Sequence, residues 1–362
     1  MQWVGLRTFE PRAATVDGAI LVLVGFEVLS GLTSLLVGTP DWGWLFVVHA
    51  IAGLSLVILV AWKLRRVMPR LRRADRRPDH VASSILLSVL SIAALATGIA
   101  WAAGDPVRIR GFTLLTVHMV LGLLVIPVLA WHLRYRFRLP TRRDVEGRRT
   151  ALQFVASVGA AALVWRLQDV LARALGLLSV DERFTGSKHA GGTGNDFPVT
   201  SWVADDPDPI DPDDWSLSIH GLVDTPVEAS YADLVGDSAT LQVGATETAV
   251  LDCTSGWYAE REWRGIRLAD LLAAVEPDPA ARWLNVRSVT GYRWSVKIED
   301  AGDALLATHV DGEPITHGHG APLRLVLPGS RGFQWVKWVD SVELRRHEDL
   351  SRWIAIHVSG LG

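Results

Sequence analysis

The chain is almost without cysteine. Among 362 residues there is one, Cys253. A single thiol excludes an intramolecular disulfide. With no CxxC pair and no CxxCH, there is neither a zinc ribbon nor a covalent haem attachment site. Composition alone reads such a residue as a small buried hydrophobe. Repeats and low-complexity tracts are also missing. The net charge is only −3, but that balance conceals two unlike halves. Residues 1–178 hold 21 Lys+Arg against 10 Asp+Glu, and residues 179–362 hold 15 against 29. The basic half is also the apolar half. This points to membrane lipid as its partner and away from nucleic acid.

Five apolar stretches run roughly Asp17–Gly38, Trp44–Trp62, Val81–Ala103, Phe112–Leu133 and Leu152–Leu175. Each approaches the ~20 residues that cross a bilayer core as a helix. Arg166, Gln168 and Asp169 interrupt the second half of the fifth. The links after the second and fourth stretches are heavily basic, whereas the other two carry few charges. The positive-inside rule therefore predicts a cytoplasmic N-terminus and an extracytoplasmic second half. Trp3, Trp42, Trp44, Trp62, Trp101 and Trp131 fall near span ends, where indoles favour the interface. Arg148 and Arg149 open the fifth stretch. They read either as charge holding the link inside or as an internal twin-arginine export signal.

The second half, residues 179–362, predicts an α+β domain. After an irregular entry segment, β-like runs are expected at Trp215–Val223, Leu241–Asp252, Trp283–Val289, Arg293–Ile298, Leu323–Leu327 and Trp335–Leu344. Helices are expected at Ile266–Val275 and Ile298–Ala307. Around the cysteine, a strand ends at Asp252, Cys253 follows, and a Gly256-Trp257 turn leads toward the first of those helices. A strand end is a rigid place from which to aim a thiolate, and a soft thiolate suits a soft or high-valent metal.

Four blocks then resemble one family. They are Gly194-Asn195 with Phe197-Pro198-Val199; the Trp215 to Val223 strand; Cys253-x-x-Gly256-Trp257 with Trp263-x-Gly265-x-x-Leu268; and His319-Gly320-x-Pro322-x-Arg324 with Val336-Lys337-Trp338. In this order they resemble the sulfite oxidase-type molybdopterin-binding oxidoreductases, including the exported methionine-sulfoxide reductase branch. The resemblance implies molybdenum–molybdopterin as cofactor and Cys253 as the metal ligand. It implies pterin contacts from Asn195, Phe197, Pro198, Val199, His319, Trp335, Val336 and Ser288, with Arg324 and Lys337 on the phosphate. A dianionic phosphate needs such cations in an acidic domain: an arginine gives a two-donor fork, a lysine a compact charge. Tyr258 is a candidate donor to a substrate oxygen, or packing. The family's arginine-rich stretch after the cysteine is absent, although Arg261, Arg264, Arg287 and Arg293 remain available to an oxyanion.

Histidines in the first half suggest a second cofactor. His49 in the second span and His118 in the fourth fall at similar depth, as axial ligands of a b-type haem would. His132 follows His118 by 14 residues, about 21 Å of helix at ~1.5 Å per residue. This resembles the two-histidine helix of bacterial cytochromes b, yet the first span has no histidine to pair with His132. The other reading of all three is interfacial, hydrogen-bonding or snorkelling side chains.

The expectation is thus a multi-domain chain: an all-α transmembrane bundle of about five spans at 1–178, then an α+β molybdopterin domain at 179–362. Its expected work is oxygen-atom transfer, reducing an S-oxide or related substrate, with electrons from a quinone or another electron-transfer partner through haem b. The alternatives are a sulfite oxidase-like enzyme on a plain anchor and a non-catalytic tethered binding module.

Overall fold

The computed structural model describes residues 11–71, 79–136, 148–201, 204–235 and 243–360. Trp3, most of the basic link after the second span and Leu241 lie outside them. So does the link at 137–147. The chain divides into two compact units, Met1–Lys188 and His189–Gly362.

The first unit is built on five long helices: α1 (Ala13–Ser34), α2 (Gly43–Leu71), α3 (Asp79–Ala103), α4 (Leu114–Arg136) and α5 (Arg148–Ala174). All five are long and apolar enough to cross a membrane. α1 packs on α2, and α3 on α4. Between α3 and α4 the chain makes a hairpin of β1 (Arg108–Ile109) and β2 (Phe112–Thr113). Arg110 and Gly111 both have positive φ there, as a two-residue turn matched to strand twist requires. Small and hydroxyl side chains such as Ser30, Ala52, Ser55, Ala94 and Ala161 are buried, while Val22, Val155 and Leu163 are exposed. Leu56 and Leu59 are buried too, but that much exposed aliphatic surface, with small residues at the contacts, suits helices that approach closely among lipid tails. Arg166, Gln168 and Asp169 do not break α5, which runs on to Ala174. Trp101, expected at an interface, is instead buried and donates to the Gly186 carbonyl at 2.9 Å.

β3 (Lys188–His189) stands where the chain passes into the second unit. That unit has two sheets. The first contains β6 (Ala245–Cys253), β7 (Trp257–Arg267), β10 (Leu305–Val310), β11 (Glu313–Pro314) and β12 (Arg324–Val326), with β10 pairing β7, β11 and β12. The second runs in the order β5 (Val227–Ser230), β4 (Ser216–Gly221), β13 (Val339–Arg345), β8 (Trp283–Ser288), β9 (Arg293–Lys297). Only β4 and β13 are parallel in it. Helix α6 (Leu268–Val275) buries Leu268, Leu271, Leu272 and Val275, the i, i+3, i+4, i+7 stripe of an amphipathic helix. A short helix, α7 (Arg352–Val358), lies near the C-terminus.

The structure departs from three expectations. Ile298–Ala307 is not a helix. One 3-10 turn at Ile298–Asp300 gives way to β10, whose Leu305, Leu306 and Ala307 are fully buried. A continuous apolar run of this length suits a central strand as well as a helix, and pairing on both edges decides it. Nor does the Gly256-Trp257 turn lead straight to a helix. The eleven residues of β7 come first, alternating buried and exposed from Trp257 to Gly265, the period of a half-buried strand. β13 likewise starts at Val339, not at Trp335, because Trp338 takes a left-handed φ of 51° that interrupts the extended run.

Candidate functional site

β6 and β7 form one antiparallel hairpin, in register from Ala245 opposite Gly265 to Cys253 opposite Trp257. The cysteine therefore sits at the hairpin's tip. The Gly256 N–H donates to the Cys253 carbonyl at 2.9 Å. Gly256 has φ of 97°, a left-handed conformation that glycine adopts without steric cost. Behind the tip, Asp252 pairs with Arg331 at 2.9 Å, both side chains fully buried. Arg331 also reaches the Cys253 carbonyl at 3.5 Å. A Cβ at Gly332 would come within 3.1 Å of the Cys253 Cα, so this turn lies directly on the cysteine backbone. The thiol is aimed by its strand and held from behind. It is 8% exposed, with Ser255 Oγ at 3.1 Å from its Sγ.

In front of Cys253 opens a cavity of about 220 Å3. Its lining includes five of the residues expected to meet a pterin together with Pro198: Phe197, His319, Arg324, Trp335 and Lys337. Arg324, at the start of β12, is buried between the rings of Trp263 and Trp335, at 5.6 and 5.8 Å. Its Nη1 donates to the His319 carbonyl at 2.6 Å. Its Nε and the indole Nε1 of Trp335 have no hydrogen-bond partner in the structure. Lys337 Nζ donates to Gly318 O at 2.6 Å and Ser201 Oγ at 3.0 Å.

Burial sets the charges. It lowers Arg324 to about 10, still protonated at neutral pH. Burial and then the neighbouring Arg324 bring Lys337 down to about 7. Burial holds His319 near 4, hence neutral. Its Nε2–H donates to the Phe197 carbonyl at 3.0 Å, its Nδ1 accepts the Thr316 hydroxyl at 2.8 Å, and its ring lies 3.9 Å from that of Phe197.

Other expected residues support the cavity from outside. Asn195 donates from Nδ2 to Pro314 O and accepts the Thr316 N–H, both at 3.0 Å. It thereby ties the segment carrying Phe197 to the one carrying His319. Arg261 does not face the cavity: it donates to Gly194 O at 3.2 Å and Asp196 O at 3.1 Å. Val199 is exposed beside Gly318. Val336 is buried and accepts the Leu325 N–H at 2.8 Å. Ser288 Oγ stands 3.1 Å from Thr290 Oγ1. Tyr258 is off the cavity, across the hairpin from Asp252, its ring 5.5 Å from that of His189. Arg264 and Arg287 are exposed, and Arg293 is bound to Asp349 at 2.7 Å. None of the candidate oxyanion arginines lines the cavity.

Two titratable lining residues were not anticipated from the sequence. Tyr292, in the turn before β9, donates its hydroxyl to Phe333 O at 2.5 Å, and burial raises its phenol well above the ordinary value. Asp205 sits in an Asp/Pro-rich run that looks like a solvated turn, yet it is 5% exposed.

Arginine Nε and indole nitrogen can only donate. Two buried donors without partners, beside one aimed thiol, fit an anionic, acceptor-rich ligand with a metal to coordinate. The model for the oxidoreductase molybdopterin binding domain matches residues 204–353. The second unit belongs to the sulfite oxidase-type molybdopterin oxidoreductases. Its relatives include the protein-methionine-sulfoxide reductase catalytic subunit MsrP of Gluconobacter oxydans, 31% identical over 38% of this chain and 49% of that one. They also include an uncharacterized oxidoreductase, YuiH, of Bacillus subtilis, 28% identical over 38% of this chain and 69% of its own. Mitochondrial sulfite oxidase of Macaca fascicularis is 29% identical over 38% and 28%. The chain thus spans about half of the first of these and less than a third of the last. All three matches cover only about the length of the molybdopterin domain.

The helical unit brings two histidines together. The rings of His49 and His118 have centres 6.2 Å apart and planes at 89°. An iron at about 2 Å from one nitrogen of each ring would set those centres roughly 6 Å apart. Each ring uses Nδ1 for hydrogen bonds. His118 donates to Ala94 O at 2.8 Å, and His49 meets Ser30 Oγ at 2.8 Å and Glu27 Oε2 at 3.1 Å. With Nδ1 donating, the lone pair belongs to Nε2, the arrangement that hydrogen-bonding partners give to metal-binding imidazoles. A Cβ at Gly98 would meet His118 Nδ1 at 2.9 Å, so glycine there keeps the ring in place. His132 faces Ser84 Oγ at 3.2 Å. The side chain of His80, a histidine near the start of α3, lies outside the described residues.

Proposed function

We propose that the chain is a membrane-anchored molybdenum–molybdopterin oxidoreductase that reduces an S-oxide or a related neutral oxide. The observation that carries this reading is the cavity: a single aimed thiol, two unpartnered buried donors, and none of Arg261, Arg264, Arg287 and Arg293 in its lining. Cys253 would ligate molybdenum. Arg324 and Lys337 would hold the pterin phosphate, with Trp335 and neutral His319 beside the pterin and Phe197 stacked on His319. The bound cofactor supplies the two-electron oxygen-atom exchange. The protein's own groups supply orientation and exclusion of water: Trp257, Phe333 and Ile356 line the same cavity with apolar surface, which favours an uncharged substrate over sulfite.

Five apolar helices support anchoring in a lipid membrane, with the molybdopterin domain on the extracytoplasmic side by the charge of the links. Export by a twin-arginine-type route would let that domain receive its cofactor before translocation. His49 and His118 would ligate one haem b, which would take electrons from a quinone or another electron-transfer partner. Metal and haem analysis of the purified chain, with sulfoxide turnover on reduced viologen, tests the whole reading. Cys253→Ser is expected to abolish turnover and molybdenum retention while the chain stays in the membrane fraction. Full turnover in that variant would overturn it.

A further inference from the structure

The cavity holds a carboxyl group that the proposed chemistry has not yet used. Asp205 lines it together with Cys253, Tyr292 and Lys337. Its side chain is buried, and its Oδ1 has no hydrogen-bond partner. The Thr290 hydroxyl is its side-chain partner. Isolated buried carboxylates are costly, so such a group tends to carry its proton. The charged and titratable groups that face Asp205 are Lys337, which favours ionisation, Asp206, which opposes it, and the phenol of Tyr292. Burial outweighs the others, and the carboxyl is held above the ordinary aspartate range.

Reduction of an S-oxide needs protons at the site. One sulfoxide, two electrons and two protons give one sulfide and one water: the S–O bond breaks, sulfur is reduced, and the oxygen leaves as water. The electrons come from an external reductant, here reduced viologen. Lys337 is committed to Gly318 O and Ser201, Arg324 does not deprotonate at neutral pH, and the hydroxyl of Tyr292 is committed to Phe333 O. We propose that Asp205 donates one of the two protons to the departing oxygen and is reprotonated from solvent. This rests on the reading of the cavity as an oxide-reducing site.

The test uses the full chain loaded with cofactor, methyl p-tolyl sulfoxide and reduced benzyl viologen. Asp205→Asn is expected to keep its molybdenum, lose about a hundredfold in kcat, and lose the alkaline falling limb of the kcat–pH profile. Asp205→Glu should retain a limb. Thr290→Val removes a hydrogen bond that favours the ionised carboxylate, so its limb should move to higher pH. Independently of turnover, the infrared pH-difference spectrum should contain a protonated-carboxyl carbonyl band that vanishes in Asp205→Asn. An Asp205→Asn enzyme with wild-type rate and profile overturns the proposal. If that variant fails to hold molybdenum, a Thr290→Val limb at the wild-type position overturns it. Wild-type protein without molybdenum, or without sulfoxide turnover, would instead sink the parent reading, and the proton donor with it.

Discussion

The two units solve opposite burial problems. In the helical unit, large aliphatic side chains such as Val22, Val155 and Leu163 face outward, while serines and alanines line the helix contacts. In the molybdopterin domain, Trp263, Trp335, Leu305 and Leu325 are inside, and the buried charges, such as Arg261, Arg324 and Asp252, are bound or face the cavity. Their candidate centres differ in the same way. The histidine pair depends on two ligands and a few hydrogen bonds between helices. The cysteine is fixed by a hairpin, a buried ion pair and a packed turn. A site made by juxtaposed helices stands or falls with single side chains. A site made by a folded core also depends on its one ligand, but the groups that place that ligand share the work.

The sharpest way to break that contrast is His118→Ala. It is expected to remove the haem b absorbance completely, while sulfoxide turnover on reduced viologen continues at the molybdopterin domain. Haem spectra and viologen assays on one preparation check both halves, and loss of both activities together would erase the distinction. Smaller in effect is Arg331→Met, which leaves Asp252 buried without its cation. Breaking one partner of such a pair costs about 3–5 kcal/mol. Chemical denaturation should show this loss while the haem spectrum is unchanged.

The gentlest test is pH. In the cofactor-free protein Lys337 titrates near 7 when folded, against the ordinary 10.5. Between those values the unfolded chain holds a proton that the folded chain has shed. Stability contributed by this group therefore rises with pH across about 7 to 10.5. Lys337→Met should flatten that rise in thermal melts of the cofactor-free protein.

Much of this was legible in the residues. The five long apolar helices were readable because lipid imposes a length and a composition on a spanning segment, and the family because four short blocks kept their order. Cys253, His319, Arg324, Trp335 and Lys337 converge on one cavity, although they come from separate segments. β7 was missed because its Arg and Glu residues hide a strand whose alternate positions are buried. β10 was missed because Ala304 to Ala307 has no polar residue to reveal a period. Asp205 was invisible for another reason: in a run of aspartates and prolines, nothing local tells which carboxyl the fold will enclose. Tyr258 looked well placed beside the cysteine in sequence, but strand alternation turns neighbours to opposite faces.

The solitary thiol has a practical side. A reagent that alkylates cysteine has one place to react in this chain, and that place is where the metal would bind. Molecules carrying the cofactor should stay unlabelled, and each empty one should take a single label. Intact-mass measurement then counts the filled fraction of any preparation directly, with no colorimetric standard and no assumption about turnover.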